Sequence, residues 1–354
     1  MKKTILLKID PRNPEPKKIC VAAQLIRKGG LVAFPTETVY GLGADALNAE
    51  AVQALFEAKK RPLDNPPIIH VCRVEDVNPL VAEVPPKAKK LMAKCWPGPL
   101  TLIFKRSKLV PDVTVAGLDT IAIRMPKHNV ALALIKESGC PISAPSANLA
   151  GKPSPTLAEH VLADLDGRID AVLDAGPTTV GVESTVLDVT AVPPQVLRPG
   201  GTTFEVLKKI LGKVELSSVA VSEEPVSIKQ ARSPGVRHKH YAPKAGMVVV
   251  EGEADAVTRK VRELLRVYAS DGKRIGVLAT DETVGQYVAD VVSSLGSRKD
   301  LASVAHNLFR VLREVDATGV DVIVAEGVPL EGLGLAVMNR LRRAAGYKII
   351  KAKT

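Results

Sequence analysis

The stretch from Phe34 to His70 admits few folds. A short apolar run, Leu31 to Phe34, reads as a strand, and Pro35 ends it because proline has no N–H to give to a ladder. Thr36 and Thr38 follow at a spacing of two, which in extended backbone sets both hydroxyls on one face. Gly41 and Gly43 read as a tight turn or a close approach to a ligand. Val52, Leu55, Phe56 and Lys59 then recur at helical spacing, and Pro62 closes that helix. Lys59, Lys60 and Arg61 therefore fall on its last turn, at the negative end of the helix dipole. A solvated helix end accounts for three such cations by itself. Their neighbours say more: a strand end, a hydroxyl pair, two glycines, Asn65 and His70 all fall within one βαβ-sized unit. Proteins of the α/β class gather their sites at strand ends.

The remainder extends this pattern. The chain has 354 residues, enough for two domains. Strands are expected at 100–104, at 121–125 with Arg124 near the end, and at 141–144, 171–173, 184–189 and 195–197. Helices are expected at 86–95, 131–137 and 204–211. Thr156 and Glu159 have the spacing of a capping box. Regular patterning fades after Val214 and returns at Met247, which divides the chain into a first domain, 1–213, a structured linker, 214–246, and a second domain, 247–354. In the second, strands at 247–250, 274–278 and 322–325 alternate with helices at 256–268, 301–315 and 335–345. That is the pattern of a small α/β domain with a mostly parallel sheet. Its Gly332-x-Gly334 lacks the third glycine of a dinucleotide loop.

Composition narrows the chemistry. The formal net charge is +11, which favours anionic partners such as nucleotides, phosphates or RNA. The four cysteines are scattered with no Cys-x-x-Cys, which argues against a zinc knuckle and for buried free thiols in a reducing compartment. No signal peptide or apolar span is evident, so a soluble, cytoplasmic protein without a membrane partner is expected. There is no Walker loop, no His-Glu-x-x-His and no Ser-His-Asp order, and no metal site is expected. His238-x-His240 has no flanking cysteine or carboxylate, and reads as a hydrogen-bonding loop. What remains is a set of donors at strand ends, including Thr36, Thr38, Lys59, Arg61, Asn65, His70, Arg124, Ser146, Asn148, Ser154, Ser184 and Arg198. With no obvious nucleophile, such a set suits catalysis by positioning and charge neutralisation. Helix and turn capping is the plainer role for some of these hydroxyls, Ser154 among them.

Four elements carry a family resemblance: Pro35-Thr36-Glu37-Thr38-Val39-Tyr40-Gly41-Leu42-Gly43, Lys59-x-Arg61, Ser146-x-Asn148, and Gly151-Lys152-Pro153-Ser154-Pro155-Thr156. They resemble the YrdC-like family. The tail, with its loop from Pro234 to Pro243, is similar to the long, two-domain threonylcarbamoyl-AMP synthases, and the likeness spans essentially the whole chain. The resemblance implies an α/β fold: a twisted mixed-sheet first domain with a concave basic site, and a smaller Rossmann-like parallel-sheet domain. It implies an enzyme that makes threonylcarbamoyl-adenylate and pyrophosphate from L-threonine, bicarbonate or CO2, and ATP with Mg2+. The product would pass to a threonylcarbamoyl-transferase complex and modify adenosine 37 of tRNAs reading codons that begin with A. Threonine would be held by Thr38 (or Thr36), His70, Arg124, Ala144 and Ser184. ATP would be held by Arg61, Asn65 and Thr120, by Ser146, Asn148 and Ser154, and by Arg198 and Tyr241. Lys59 and Arg61 would neutralise the phosphates. Pro66-Pro67 departs from the family's more usual single proline.

Two other readings compete. One is a nucleic-acid module: the charge allows weak tRNA binding, but aromatics are only 3%, which leaves few stacking platforms. The other is a carbamoyl-transfer maturation factor for hydrogenases, a much longer and cysteine-rich family. The segment Ser233 to Pro243 carries Arg237, His238, Lys239, His240 and Tyr241 between two prolines. It is expected to act as a lid, with Tyr241 on ATP.

Overall fold

The computed structural model describes residues 3–225 and 240–353. They form two compact units, the first made of 3–150 and 154–220 and the second of 151–153, 221–225 and 240–353. No helix among the described residues is long and apolar enough to cross a membrane.

The first unit is built on one mixed sheet. Its strands in chain order are β1 (Ile5–Lys8), β2 (Val32–Pro35), β3 (Tyr40–Asp45), β4 (Ile69–His70), β5 (Leu100–Lys105), β6 (Thr120–Arg124), β7 (Ile142–Ser143), β8 (Ala171–Asp174), β9 (Thr185–Asp188), β10 (Gln195–Arg198) and β11 (Glu215–Leu216). Across the sheet they lie in the order β1-β8-β2-β3-β7-β4-β6-β5-β9-β10-β11. The last strand lies beyond residue 213, so the sheet runs on into what the sequence reads as linker. It pairs in parallel with β10.

Side-chain alternation decides what each face of this sheet does. Leu100, Leu102 and Phe104 of β5, with Ile121 and Ile123 of β6, point to a core closed by Leu91 and Met92 of helix Pro86–Cys95 and by Leu207 and Ile210 of helix Phe204–Leu211. On the other face, around β2 and β7, Val32, Phe34 and Ile142 pack under helices Pro16–Arg27 and Asn129–Ser138. Further along that face the residues become smaller and more polar. Ile68, Ile103, Ala122, Val186 and Leu197 form a small cluster. Thr101, Thr120, Arg124 and Ser184 share their side by strand period.

The glycine pair is not a turn. Gly41 and Gly43 lie inside β3, the second arm of a hairpin with β2 in which Pro35 pairs with Tyr40 and Val32 with Gly43. A Cβ on Gly43 would stand 2.9 Å from both the Phe34 ring and an Ile142 methyl. The glycine is there so that these two side chains can close over the strand. Gly43→Ala should cost about 1–3 kcal/mol through overpacking. Chemical denaturation reads this directly, and an unchanged midpoint would mean that Phe34 moves aside freely.

Three other expectations are corrected. The capping box of Thr156 and Glu159 does not form: helix Ala158–Leu165 has no side-chain cap, and the Thr156 N–H donates instead to His160 Nδ1 at 3.2 Å. Only Lys59 of the three cations belongs to helix Ala49–Lys59, since Lys60 is left-handed, with φ of 51°, and Arg61 follows it out. The cysteines are free but only half-buried. Burial pushes the Cys72 thiol up to about 11 and the Cys140 thiol up to about 12.

The second unit carries a five-stranded, all-parallel sheet. Its strands are β12 (Gly246–Glu251), β13 (Ile275–Ala279), β14 (Val291–Ser294), β15 (Val322–Glu326) and β16 (Ile349–Lys351). Their order is β14-β13-β15-β12-β16. Sequence patterning misses β14 and β16, which are short edge strands with half-buried side chains.

Candidate functional site

The four-residue loop joining β2 to β3 is held by its own hydroxyls. Thr36 Oγ1 donates to the Val39 carbonyl (2.8 Å) and accepts the N–H groups of Thr38 and Val39. With that proton committed, the Thr38 hydroxyl donates to Thr36 Oγ1 at 2.8 Å. Thr38 Oγ1 in turn accepts from Arg124 Nη1 at 2.9 Å. The chain of donors therefore runs from the guanidinium through both threonines to the backbone.

Arg124 ends β6 and is 3% exposed. Its Nε donates to Gly98 O at 3.2 Å, and its Nη2 lies 2.6 Å from Glu37 Oε2. That distance is an ion pair's, but its direction is not a hydrogen bond's. Arg124 Nη2 and both carboxylate oxygens of Glu37 are buried without a hydrogen-bond partner. Next to β6, β4 sets His70 in parallel register with Arg124. Burial, with Arg124 close by, lowers the His70 pKa to about 3. The ring is neutral. Its Nδ1 lies 3.1 Å from Ile68 O, and the Ile142 backbone is a second hydrogen-bonding neighbour of the ring.

The low His70 pKa has a sign that can be tested. An unfolded chain binds a proton near pH 6.5 that the native ring refuses until about pH 3. The contribution of His70 is therefore complete above pH 6.5 and is lost as pH falls through that window, at up to about 1.4 kcal/mol per pH unit. His70→Gln should have a shallower decline of unfolding free energy between pH 6 and 4 than the unaltered protein. Equal slopes would place the ring's proton elsewhere.

A second group of donors lies across the same face. Ser184 Oγ is 2.8 Å from Thr101 Oγ1 and accepts from Arg198 Nη2 at 3.3 Å, while Arg198 Nε and Nη2 both reach Ser184 O. The register of β9 and β10 shifts between Val196 and Arg198, and such a bulge re-aims the side chain that follows it. Gly200 allows the backbone to return: a Cβ there would stand 2.3 Å from Glu183 O. Ser154 Oγ donates to Glu183 Oε1 at 2.5 Å. Thr120 opens β6 on the same face as Arg124, roughly 13 Å away at the usual rise per residue.

A third group forms where Pro145, Ala147 and Pro155 bond to β3. Leu42 N–H donates to Pro145 O, Ala147 N–H to Tyr40 O and Tyr40 N–H to Pro155 O. Ala144 abuts Gly41. Lys59 is 1% exposed, and its ammonium donates to the carbonyls of Ser146 and Asn148. Burial, and then Arg61, hold its pKa well below the ordinary lysine value. Arg61 is half-buried and folds the next loop by donating to Asn65 O at 3.0 Å and Pro66 O at 3.4 Å. Asn65 Oδ1 is buried with no hydrogen-bond partner.

The sequence-expected residues thus fall into three groups in the first unit. Tyr241 is placed in the second, 4% exposed, with its ring 5.2 Å from that of Phe309 and 5.8 Å from the Arg340 guanidinium carbon. Residues 233–239 of the expected lid lie outside the described residues. Sequence reasoning gave no role to Glu37 or Thr101. The signals were present: a carboxylate between two threonines, and one hydroxyl on the polar face of the run Leu100–Lys105.

A buried set of arginines and hydroxyls on one face of a mixed sheet, in a chain that adds a smaller parallel-sheet domain, defines the class: a two-domain protein with a YrdC-type α/β domain. The family model described as "Telomere recombination", covering the Sua5, YciO and YrdC proteins, matches residues 24–200. A second model, "Threonylcarbamoyl-AMP synthase, C-terminal domain", matches residues 202–346. The chain is 51% identical to the threonylcarbamoyl-AMP synthase of Pyrococcus abyssi over 98% of its own length and 99% of that protein. It is 49% identical to the Bacillus subtilis threonylcarbamoyl-AMP synthase over 97% of each. The crystal structure of P. abyssi Sua5 complexed with L-threonine superposes with a TM-score of 0.94, at 50% identity, over 99% of this chain and 100% of that one. The chain belongs to the threonylcarbamoyl-AMP synthase family and is an enzyme of that class, a nucleotidyltransferase that forms L-threonylcarbamoyladenylate.

Proposed function

We propose that the enzyme condenses L-threonine, bicarbonate or CO2, and ATP, releasing pyrophosphate. The observation that carries this reading is the corner of Arg124, Thr38 and His70. A buried guanidinium whose Nη2 is ion-paired to Glu37 but makes no hydrogen bond suits the carboxylate of an amino acid. The neutral His70 and the ordered hydroxyls of Thr38 and Thr36 suit its side-chain hydroxyl, and Ala144 and Ser184 are assigned to the same substrate by resemblance. The related P. abyssi protein is named as complexed with L-threonine.

ATP would extend from this corner along the strand face. Arg61 and Asn65, Ser146 and Asn148, Ser154 and Arg198 are its ligands, and Thr120 lies at the far end of β6. Tyr241 is assigned to the nucleotide by resemblance alone. The threonine ammonium first loses a proton to solvent, the free amine adds to CO2 and releases a second proton to give the carbamate, and a carbamate oxygen attacks the α-phosphorus as pyrophosphate leaves. Arg61 and Lys59 offset the charge that gathers there, and Lys59 also fixes the backbone of Ser146 and Asn148. Among the described residues no three His, Cys, Asp or Glu side chains converge on a point. Mg2+ would arrive on the triphosphate.

The product would supply the N6-threonylcarbamoyl group of adenosine 37 in tRNAs reading codons that begin with A, through a transferase complex in the cytoplasm, with weak tRNA binding at most. The test is to incubate the protein with ATP, Mg2+, L-threonine and labelled bicarbonate. A labelled, threonine-dependent adenylate together with pyrophosphate is expected. Pyrophosphate without label in an adenylate would overturn the reading.

A further inference from the structure

Glu37 has no part in the chemistry described so far. It is 6% exposed, between the two threonines of the loop from β2 to β3. Its backbone carbonyl is pinned by the N–H groups of Thr179 (3.1 Å) and Val180 (2.7 Å), so the residue does not hang free. Its side chain is placed as tightly, with Oε2 2.6 Å from Arg124 Nη2, yet neither oxygen accepts a hydrogen bond. Apart from that ion pair no hydrogen bond to either oxygen offsets the cost of burying the carboxylate, and a ligand with a donor at this corner would supply one.

The ligand already proposed for Arg124 has the matching group. An α-amino acid is a zwitterion whose ammonium is two bonds from its carboxylate. A site that takes the carboxylate on a buried guanidinium must give the ammonium an acceptor a few ångströms away, or leave a charge desolvated. We infer that Glu37 receives the ammonium of the substrate, so that Glu37 and Arg124 together form a receptor for a zwitterion. The ion pair between them holds the two charges in place until the substrate's own charges satisfy both. The inference rests on L-threonine as substrate and adds to it a reason why an amine is selected.

The plainer role for Glu37 is to neutralise Arg124, and the experiment separates the two. Calorimetry on the full chain compares L-threonine with 2,3-dihydroxybutanoate, the analogue of the same configuration bearing hydroxyl in place of the amine. The unaltered protein should prefer threonine by tenfold or more. In Glu37→Gln the preference should fall to less than threefold, mostly through weaker threonine binding, and Glu37→Asp should restore part of it. If Glu37→Gln weakens both ligands equally, Glu37 merely supports Arg124 and the inference is wrong. Should Glu37→Gln not fold, the unaltered protein still decides, because binding the deamino analogue as tightly as threonine overturns the inference. Failure of the unaltered protein to bind threonine at all would instead overturn the substrate reading beneath it.

Discussion

Arg124→Met should weaken L-threonine binding by two to three orders of magnitude and lower adenylate formation at least as far. The expectation follows from what the guanidinium does. On the proposed reading it would present two charge-assisted donors to a carboxylate in a buried setting, each worth about 1.5–3 kcal/mol. It also orders Thr38 and, through Thr38, Thr36. Lysine will not substitute, since a single ammonium cannot reach Gly98 O, Thr38 and a carboxylate at once. Removing Arg124 leaves Glu37 buried without its counter-charge, at a cost of about 3–5 kcal/mol in stability. The melting temperature must therefore be recorded alongside calorimetry. A folded variant that binds threonine within fivefold of the unaltered protein would take Arg124 out of the site.

Lys59→Met should lower adenylate formation by about a hundredfold and leave threonine binding within twofold. The substitution keeps the length of the stem and removes only the ammonium. Two carbonyls, those of Ser146 and Asn148, lose their donor, at roughly 1–3 kcal/mol for each group left unsatisfied. The segment that presents Ser146 and Asn148 then shifts, and a displacement of about 1 Å in a positioning element costs near 10²-fold in rate. The threonine corner lies on other strands and keeps its bonds. Radiolabel incorporation measures the first quantity and calorimetry the second. Loss of both together would mean that Lys59 supports the whole loop system rather than the nucleotide side.

How far these residues are legible in the sequence depends on the range over which their roles are set. Helix Ala49–Lys59 is visible from its spacing and from Pro62, because a local rule decides it. So are Thr120 and Arg124 of β6, which flank an apolar run. The place of Arg124 at a strand end is likewise local. The glycines of β3 are misread because glycine marks a turn in the absence of other information, and only the nearness of Phe34 and Ile142 shows them to be strand residues. Lys59 points to residues 87 and 89 positions away, which no window of sequence contains. Glu37 is hidden for another reason. What marks it is burial against Arg124, 87 positions away, with no hydrogen bond to either oxygen, and a motif cannot display that.

The order of strands also bears on how the chain comes into being. β1 pairs with β8, so that Ile5 lies opposite Ala171 and Lys8 opposite Asp174. β2 also pairs with β8, and Thr4 Oγ1 donates to Ile169 O. The amino-terminal strand has no place to dock until these residues have left the ribosome. At ordinary rates of synthesis that interval is roughly ten to thirty seconds. Throughout it β1 is an unpaired edge, with Ile5 and Leu6 more than two-fifths exposed even in the finished protein. The prolines and charges between Asp10 and Lys18 are well placed to keep that edge from pairing with another nascent chain. The first strand to be made is therefore among the last of its domain to be paired.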